Sequence, residues 1–186
     1  ETATLSGVRG SISVTNGGVL KGTGTATIVS VASGAIVMPG NSPGKLTVLQ
    51  SYFQTGEYRP ELLNKDTYDQ LAIGADYVGP GGNAVILNSG ATLNTVLYDG
   101  WVVNQGDQFR IINNLSSTAV SGTFTGLTEG TQFTITSEGV NIVFSISYVG
   151  GDGNDVVLTA INAGKDPTPP NTGVMQIVMA NPLIIA

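Results

Sequence analysis

Two groups of side chains in this chain have the types and spacing for chemistry. The first is Gly150-Gly-Asp-Gly-Asn-Asp-Val-Val-Leu158. It fits the calcium nonapeptide G-G-x-G-x-D-x-apolar-x. A calcium β-roll builds each site from two successive turns of this kind, and the sequence holds a single copy. Asp152 and Asp155 are therefore candidate ligands of half a site. A tight turn between two strands explains the same residues with less, and it is the favoured reading. The second group is acidic: Glu57 with Glu61, and Asp66 with Asp69. Two carboxyls about 5–10 Å apart across a cleft could hydrolyse a glycosidic bond. A solvated, charged loop is the simpler account of them.

Other routes to catalysis are missing from the composition. The chain has no histidine and no cysteine. That removes the usual general base, thiolate nucleophiles, disulfides and cysteine-based metal sites. No glycine-rich phosphate loop is present: Gly22-Thr-Gly24 lacks a third glycine and a following helix. Trp101 beside Tyr98 could form an aromatic platform for a sugar, although a tryptophan next to Val102 and Val103 reads more simply as core. Seven Lys and Arg against thirteen Asp and Glu give a net charge of −6. The cations are scattered, so no positive patch is available for phosphates, and nucleic acid is excluded as a partner. The expectation is a protein that is not an enzyme and carries no cofactor.

The elements that would position these residues are strands. The chain has 186 residues, 26 of them Gly and 8 Pro, with 41% hydrophobic and only 11% charged residues. Thr, Ser, Val and Ile are abundant, and helix-surface residues are scarce. Val29, Val31, Ala35 and Val37 alternate with residues such as Ser30 and Ile36. Gly34 and the segment Pro39-Gly-Asn-Ser-Pro-Gly44 break the run and leave no room for a helix. Ser11–Leu20 has the same form as Thr27–Ile36, with Ile12 matching Ile28, Val14 matching Val31 and Gly18 matching Gly34. A period near 16–20 residues is the length of one solenoid turn, and a single turn cannot bury its own apolar face.

Pro60 at a first helical position predicts a helical turn over Glu61–Asn64. Farther on, Phe133 and Ile135, then Ile142, Phe144, Ile146 and Tyr148, alternate on either side of Ser137-Glu-Gly139. That is a hairpin signal. Val156–Ile161 reads as a last strand. Together they predict an antiparallel meander that closes one end of the stack.

The run Gly22–Val48, with Tyr68-Asp-Gln-Leu71 and Ile146–Leu158, resembles the β-strand repeat of bacterial autotransporter passengers and related surface proteins. The likeness covers about residues 15–160. It implies an all-β fold: a short right-handed parallel β-solenoid over residues 1–161 with an antiparallel C-terminal cap. A β-sandwich is the alternative. It also implies an extracellular, cell-surface protein of structural or adhesive function.

Residues 162–173 read as a proline-rich linker, with three prolines in four positions from 167 to 170. Pro169-Pro-Asn-Thr-Gly173 resembles the sortase motif L-P-x-T-G, with proline where leucine is usual. Pro170, Asn171, Thr172 and Gly173 carry that likeness. An apolar segment, 174–186, follows. Val174, Met175, Ile177, Val178, Met179, Leu183, Ile184 and Ile185 are candidate assembly residues, because so apolar a segment is poorly suited to water. It is too short to span a bilayer. The expected partner is a further copy of the chain, joined head to tail by strand donation into a homo-oligomer or filament. A host or matrix glycan is the alternative partner. Glu1 follows no apolar leader, as expected of a start inside a longer protein or after a removed signal peptide.

Overall fold

Small polar residues alternate with Val, Ile and Leu over most of the chain, so each segment offers one apolar face every second residue. The computed structural model describes residues 1–79 and 82–164. Those residues form eighteen strands and no helix. The fold is all-β, built on three sheets with both parallel and antiparallel ladders.

The chain makes five successive passes. The first holds β1 (Thr2–Leu5), β2 (Val8–Arg9) and β3 (Ile12–Val14). The second holds β4 (Val19–Gly22) and β5 (Thr25–Val31), and the third β6 (Ile36–Pro39) and β7 (Lys45–Gln54). The fourth holds β8 (Glu57–Tyr58), β9 (Glu61–Asn64), β10 (Thr67–Tyr68), β11 (Gln70–Ile73) and β12 (Val85–Leu87). The fifth holds β13 (Thr92–Leu93), β14 (Val96–Leu97) and β15 (Gln108–Asn114). Consecutive passes pair in parallel. One sheet runs β1-β4-β6-β8-β13, and a second runs from β2 and β3 through β5, β7, β11 and β12 to β15. A small third sheet joins β9 in parallel to β14 and antiparallel to β10.

Register stacks like residues into columns. Thr2 pairs with Val19 and Val19 with Ile36, a step of 17 residues each time. Ile12 lies beside Val29, Val29 beside Tyr52, and Tyr52 beside Val85. Ala3, Leu20, Val37 and Tyr58 form another inward column. Such columns place the inward residues of successive passes in one continuous core. The partner of Ile12 is Val29 rather than Ile28, and Val14 pairs with Val31 in the same frame. Both residues are thus 17 residues from their partners, whereas the sequence match of Ile12 to Ile28 and Val14 to Val31 differs by one residue.

Three further strands close the far end: β16 (Gln132–Ser137), β17 (Val140–Gly150) and β18 (Asp155–Ala160). They are antiparallel to one another, and β18 pairs antiparallel with β15. The expected hairpin is present, with Phe133 opposite Phe144 and Ile135 opposite Ile142. Its turn is tighter than expected. Glu138 and Gly139, both at positive φ, connect the strands alone. Aromatic rings fasten this end: Phe109 packs edge-on to Phe144, and Phe124 stacks on Tyr58. The Tyr148 hydroxyl accepts the Phe124 N–H at 2.9 Å and donates to the Leu127 carbonyl at 2.6 Å.

The helical turn expected at Glu61–Asn64 is strand β9. Proline at position 60 suits an extended entry equally well. Asp69 takes the Glu61 N–H through its carboxylate at 3.0 Å, and β9 pairs with Val96 and Leu97. Long-range pairing overrides the local signal. The sorting-like residues Pro170–Gly173 and the assembly residues Val174–Ile185 lie outside the described residues.

Candidate functional site

The acidic residues singled out in the sequence do not converge on a cleft. Asp69 is fully buried beneath the Pro39–Gly44 turn. Its carboxylate accepts the N–H of Gly44 at 2.7 Å as well as that of Glu61. Burial pushes its pKa up to about 7, against the opposing pull of those two donors. Asp69 ties the third pass to the fourth, which is structural work. Glu57 pairs with Arg59 and accepts the Asn94 side-chain amide at 2.9 Å. Burial lifts its pKa, but Arg59 and Asn94 together outweigh it and the net shift is downward. Asp66 is exposed and bonds Lys65 at 2.8 Å.

The nonapeptide segment is the turn between β17 and β18. Asp155 is buried, and Asp152 is exposed in the turn. Asp155 Oδ1 accepts the Asn114 N–H at 2.7 Å. Its Oδ2 sits 3.2 Å from Arg110 Nε, in ion-pair range although not at hydrogen-bond geometry. Burial raises the Asp155 pKa, and Asn114 and Arg110 work against that rise. Asp155 therefore anchors the closing meander to β15. Among the described residues no cluster of three or more acidic side chains is placed to hold a metal ion. Trp101 is buried in the core and Tyr98 is half-buried, so they form no exposed platform.

Two surface features remain, and neither was singled out from the sequence. The first is the open end of the stack. Strands β1, β2 and β3 each have a partner on one side only among the described residues. Between β1 and β3 lies a groove of about 500 Å³, lined by Ala3, Ile12, Val14, Val19 and Leu20 with Glu1 at its rim. Ala3 occupies an inward register yet is exposed, whereas Leu20 and Val37 beneath it are buried. Apolar surface and free strand edge coincide here, which is what a further β-strand needs in order to dock. One sequence signal was available. No aromatic residue precedes Tyr52, so the bulky rings that fasten the other end have no counterpart at this one.

The second feature is a polar groove of about 320 Å³ near the closed end, lined by Tyr68, Gln70, Gln108, Arg110, Gly151 and Val157. The Gln70 amide donates to the Arg110 carbonyl at 3.0 Å, and Tyr68 packs edge-on to Phe109. Amide, guanidinium and phenol groups here could hydrogen-bond a sugar.

No protein-family model matches the sequence, and no curated protein matches it.

Proposed function

We propose that this is an extracellular structural protein of a bacterial cell surface, a short right-handed parallel β-solenoid that joins further copies through its apolar C-terminal segment. The observation that carries the reading is polarity. Among the described residues the parallel ladders start at the first pass, and the antiparallel meander pairs with β15 at the last. The two ends are unlike: β1, β2 and β3 at the first pass, and β13, β14 and β16 at the last, each have a strand partner on one side only among these residues. A contact between unlike surfaces of two copies propagates head to tail when it does not close into a ring.

The solenoid reading is supported by the 17-residue step and by strand partners that recur in the same columns. The right-handed sense is the one that parallel connections adopt almost without exception. A β-sandwich, the alternative, draws support from the mixed sheets, but it does not require consecutive passes to pair in parallel in recurring columns. The cell-surface setting rests on the likeness to autotransporter-type repeats. A structural function without catalysis also fits side chains that serve the fold: Asp69, Asp155 and Glu57 are engaged by neighbours.

A second reading, an adhesin that binds a glycan, is favoured by one observation: the polar groove of Tyr68, Gln70, Gln108 and Arg110. Electron microscopy of the purified full chain separates the two. Filaments or regular arrays are expected. Dispersed single particles, together with retention on immobilised glycans that Arg110→Ala abolishes, would move the function to adhesion.

A further inference from the structure

We propose that the outer face of the second sheet, where β7, β11 and β15 lie side by side, binds an acidic oligosaccharide with carboxylates on alternate sugars. This rests on the glycan reading above and names its ligand. The polar groove near the closed end extends farther than its first portion. Tyr68 and Gln70 line that portion together with Gln108, Arg110 and Gly151. The same two residues line a second polar hollow, of about 330 Å³, that reaches Lys45. The two hollows meet at Tyr68 and Gln70. Register accounts for the line-up. Leu46, Leu71 and Ile112 form an inward column across the three strands. Lys45 pairs with Gln70 one residue earlier, so alternation turns both outward. On β15, Gln108 and Arg110 stand on the outer face to either side of the buried Phe109.

The polar groups here are idle, unlike those of Asp69, Asp155 and Glu57. Among the described residues no hydrogen bond or ion pair engages the Lys45 ammonium, the Tyr68 hydroxyl or the Gln108 amide. Tyr68 is nonetheless held in place, edge-on to Phe109 with ring centres 5.4 Å apart. Arg110 is held as well. Its Nε faces Asp155, and its Nη1 lies 3.4 Å from Asn113 Oδ1. A Cβ on Gly151 would collide with Asp155 Oδ2 and lie 3.0 Å from Arg110 Nη2. Glycine at 151 therefore leaves room for the ion pair beside the groove, and Nη2 remains for a ligand. Groups fixed by the fold before binding lose little freedom when a ligand arrives.

Charge and spacing select the class of sugar. Asp66, at the Lys45 end, is matched by Lys65 at 2.8 Å, and Arg110 is matched by Asp155. Among the lining residues Lys45 is left as the uncompensated charge, within a chain of net charge −6. Lys45 and Arg110 stand on strands two spacings apart, or about 10 Å. In a glycan laid across the strands, carboxylates on alternate sugars fall at a comparable separation, one near each cation. Both cations donate charge-assisted hydrogen bonds to carboxylate oxygens. The sugar between them meets the Tyr68 ring and the Gln108 amide, which suit a ring face and its hydroxyls.

Titration calorimetry of the full chain tests this with a hyaluronan tetrasaccharide, its carboxyl methyl ester and neutral chitotetraose. The acid is expected to bind about tenfold more tightly than its ester, and more weakly as salt rises. Lys45→Gln is expected to weaken the acid by about twofold to fivefold and to leave the ester unchanged. Gln108→Ala weakens both. Lys45 and Gln108 are exposed, so both variants are expected to keep the parent's melting temperature. Arg9→Gln, at an exposed cation outside the groove, changes nothing. If acid and ester bind alike and Lys45→Gln is silent while Gln108→Ala still weakens them, the acidic ligand is wrong and the glycan reading stands. Binding that neither variant alters overturns the site. If none of the three binds and no immobilised glycan retains the chain, the ligand and the glycan reading both fall.

Discussion

Asp69 Oδ1 accepts the backbone N–H of Gly44 at 2.7 Å, across twenty-five residues of sequence. The bond pins the Pro39–Gly44 turn to the fourth pass. The carboxyl is buried, and its pKa rises to about 7 for that reason. An unfolded aspartate titrates near about 4. Between these values the folded chain holds a proton that the unfolded chain has released. Stability contributed by this group is therefore full below about pH 4, falls as pH rises toward about 7, and is flat above. Melting at pH 5 is expected at a higher temperature than at pH 8. Asp69→Asn flattens that segment of the profile, and it lowers stability throughout by about 1–3 kcal/mol because its NH₂ meets a backbone donor. An unchanged profile in the variant would show that another group titrates.

Gly22 sits at φ +114°, and a Cβ there would lie 2.2 Å from the Leu5 carbonyl oxygen. Backbone bonds tie Gly22 to Gly40 in both directions, at 2.9 and 2.8 Å. Gly22→Ala therefore meets strain and collision together. The expected loss is about 2–4 kcal/mol, read as a lower denaturant midpoint. Gly100→Ala is the control for φ alone, since nothing approaches its Cβ position within 4 Å.

Asp155 is engaged by the Asn114 N–H and the Arg110 guanidinium, so the fold is expected to be indifferent to calcium. Melting temperature stays the same with excess chelator or excess calcium. Asp155→Ala leaves the Asn114 N–H unpaired and costs about 1–3 kcal/mol. Stabilisation by several degrees on adding calcium, lost in Asp152→Ala, would instead assign the turn as an ion site.

The Tyr52 hydroxyl donates to Gln54 Oε1 inside the core, and Gln54 Nε2 has no hydrogen-bond partner among the described residues. Gln54 stands in a column with Val31 and Leu87. Gln54→Leu alone strands the tyrosine hydroxyl and is destabilising by about 1–3 kcal/mol. Adding Tyr52→Phe removes both polar partners and restores stability to the parent level or above. A double variant as weak as the single would show that the pair does more than satisfy itself.

The sequence carried the local half of this fold. Alternation around Val29, Val31, Ala35 and Val37 marked strands that are strands, because one-sided burial imposes a period of two. The hairpin of Phe133, Ile135, Ile142 and Phe144 was legible for the same reason. What escaped depended on partners far along the chain. Glu61–Asn64 looks helical after Pro60 until Val96, Leu97 and Asp69 are beside it. Asp69 and Asp155 look like chemistry until their partners Gly44 and Asn114 are known. The open groove was hidden because Ala3 and Ile12 are ordinary strand residues. They are a surface because no strand among the described residues covers them.

The central claim is head-to-tail assembly through the apolar C-terminal segment, and sedimentation velocity of the full chain beside a chain ending at Thr172 tests it most directly. The full chain is expected to sediment as a concentration-dependent ladder of oligomers, insensitive to salt, and the shortened chain as a folded monomer. A full chain that remains monomeric at every concentration, or a shortened chain that still assembles, would contradict it.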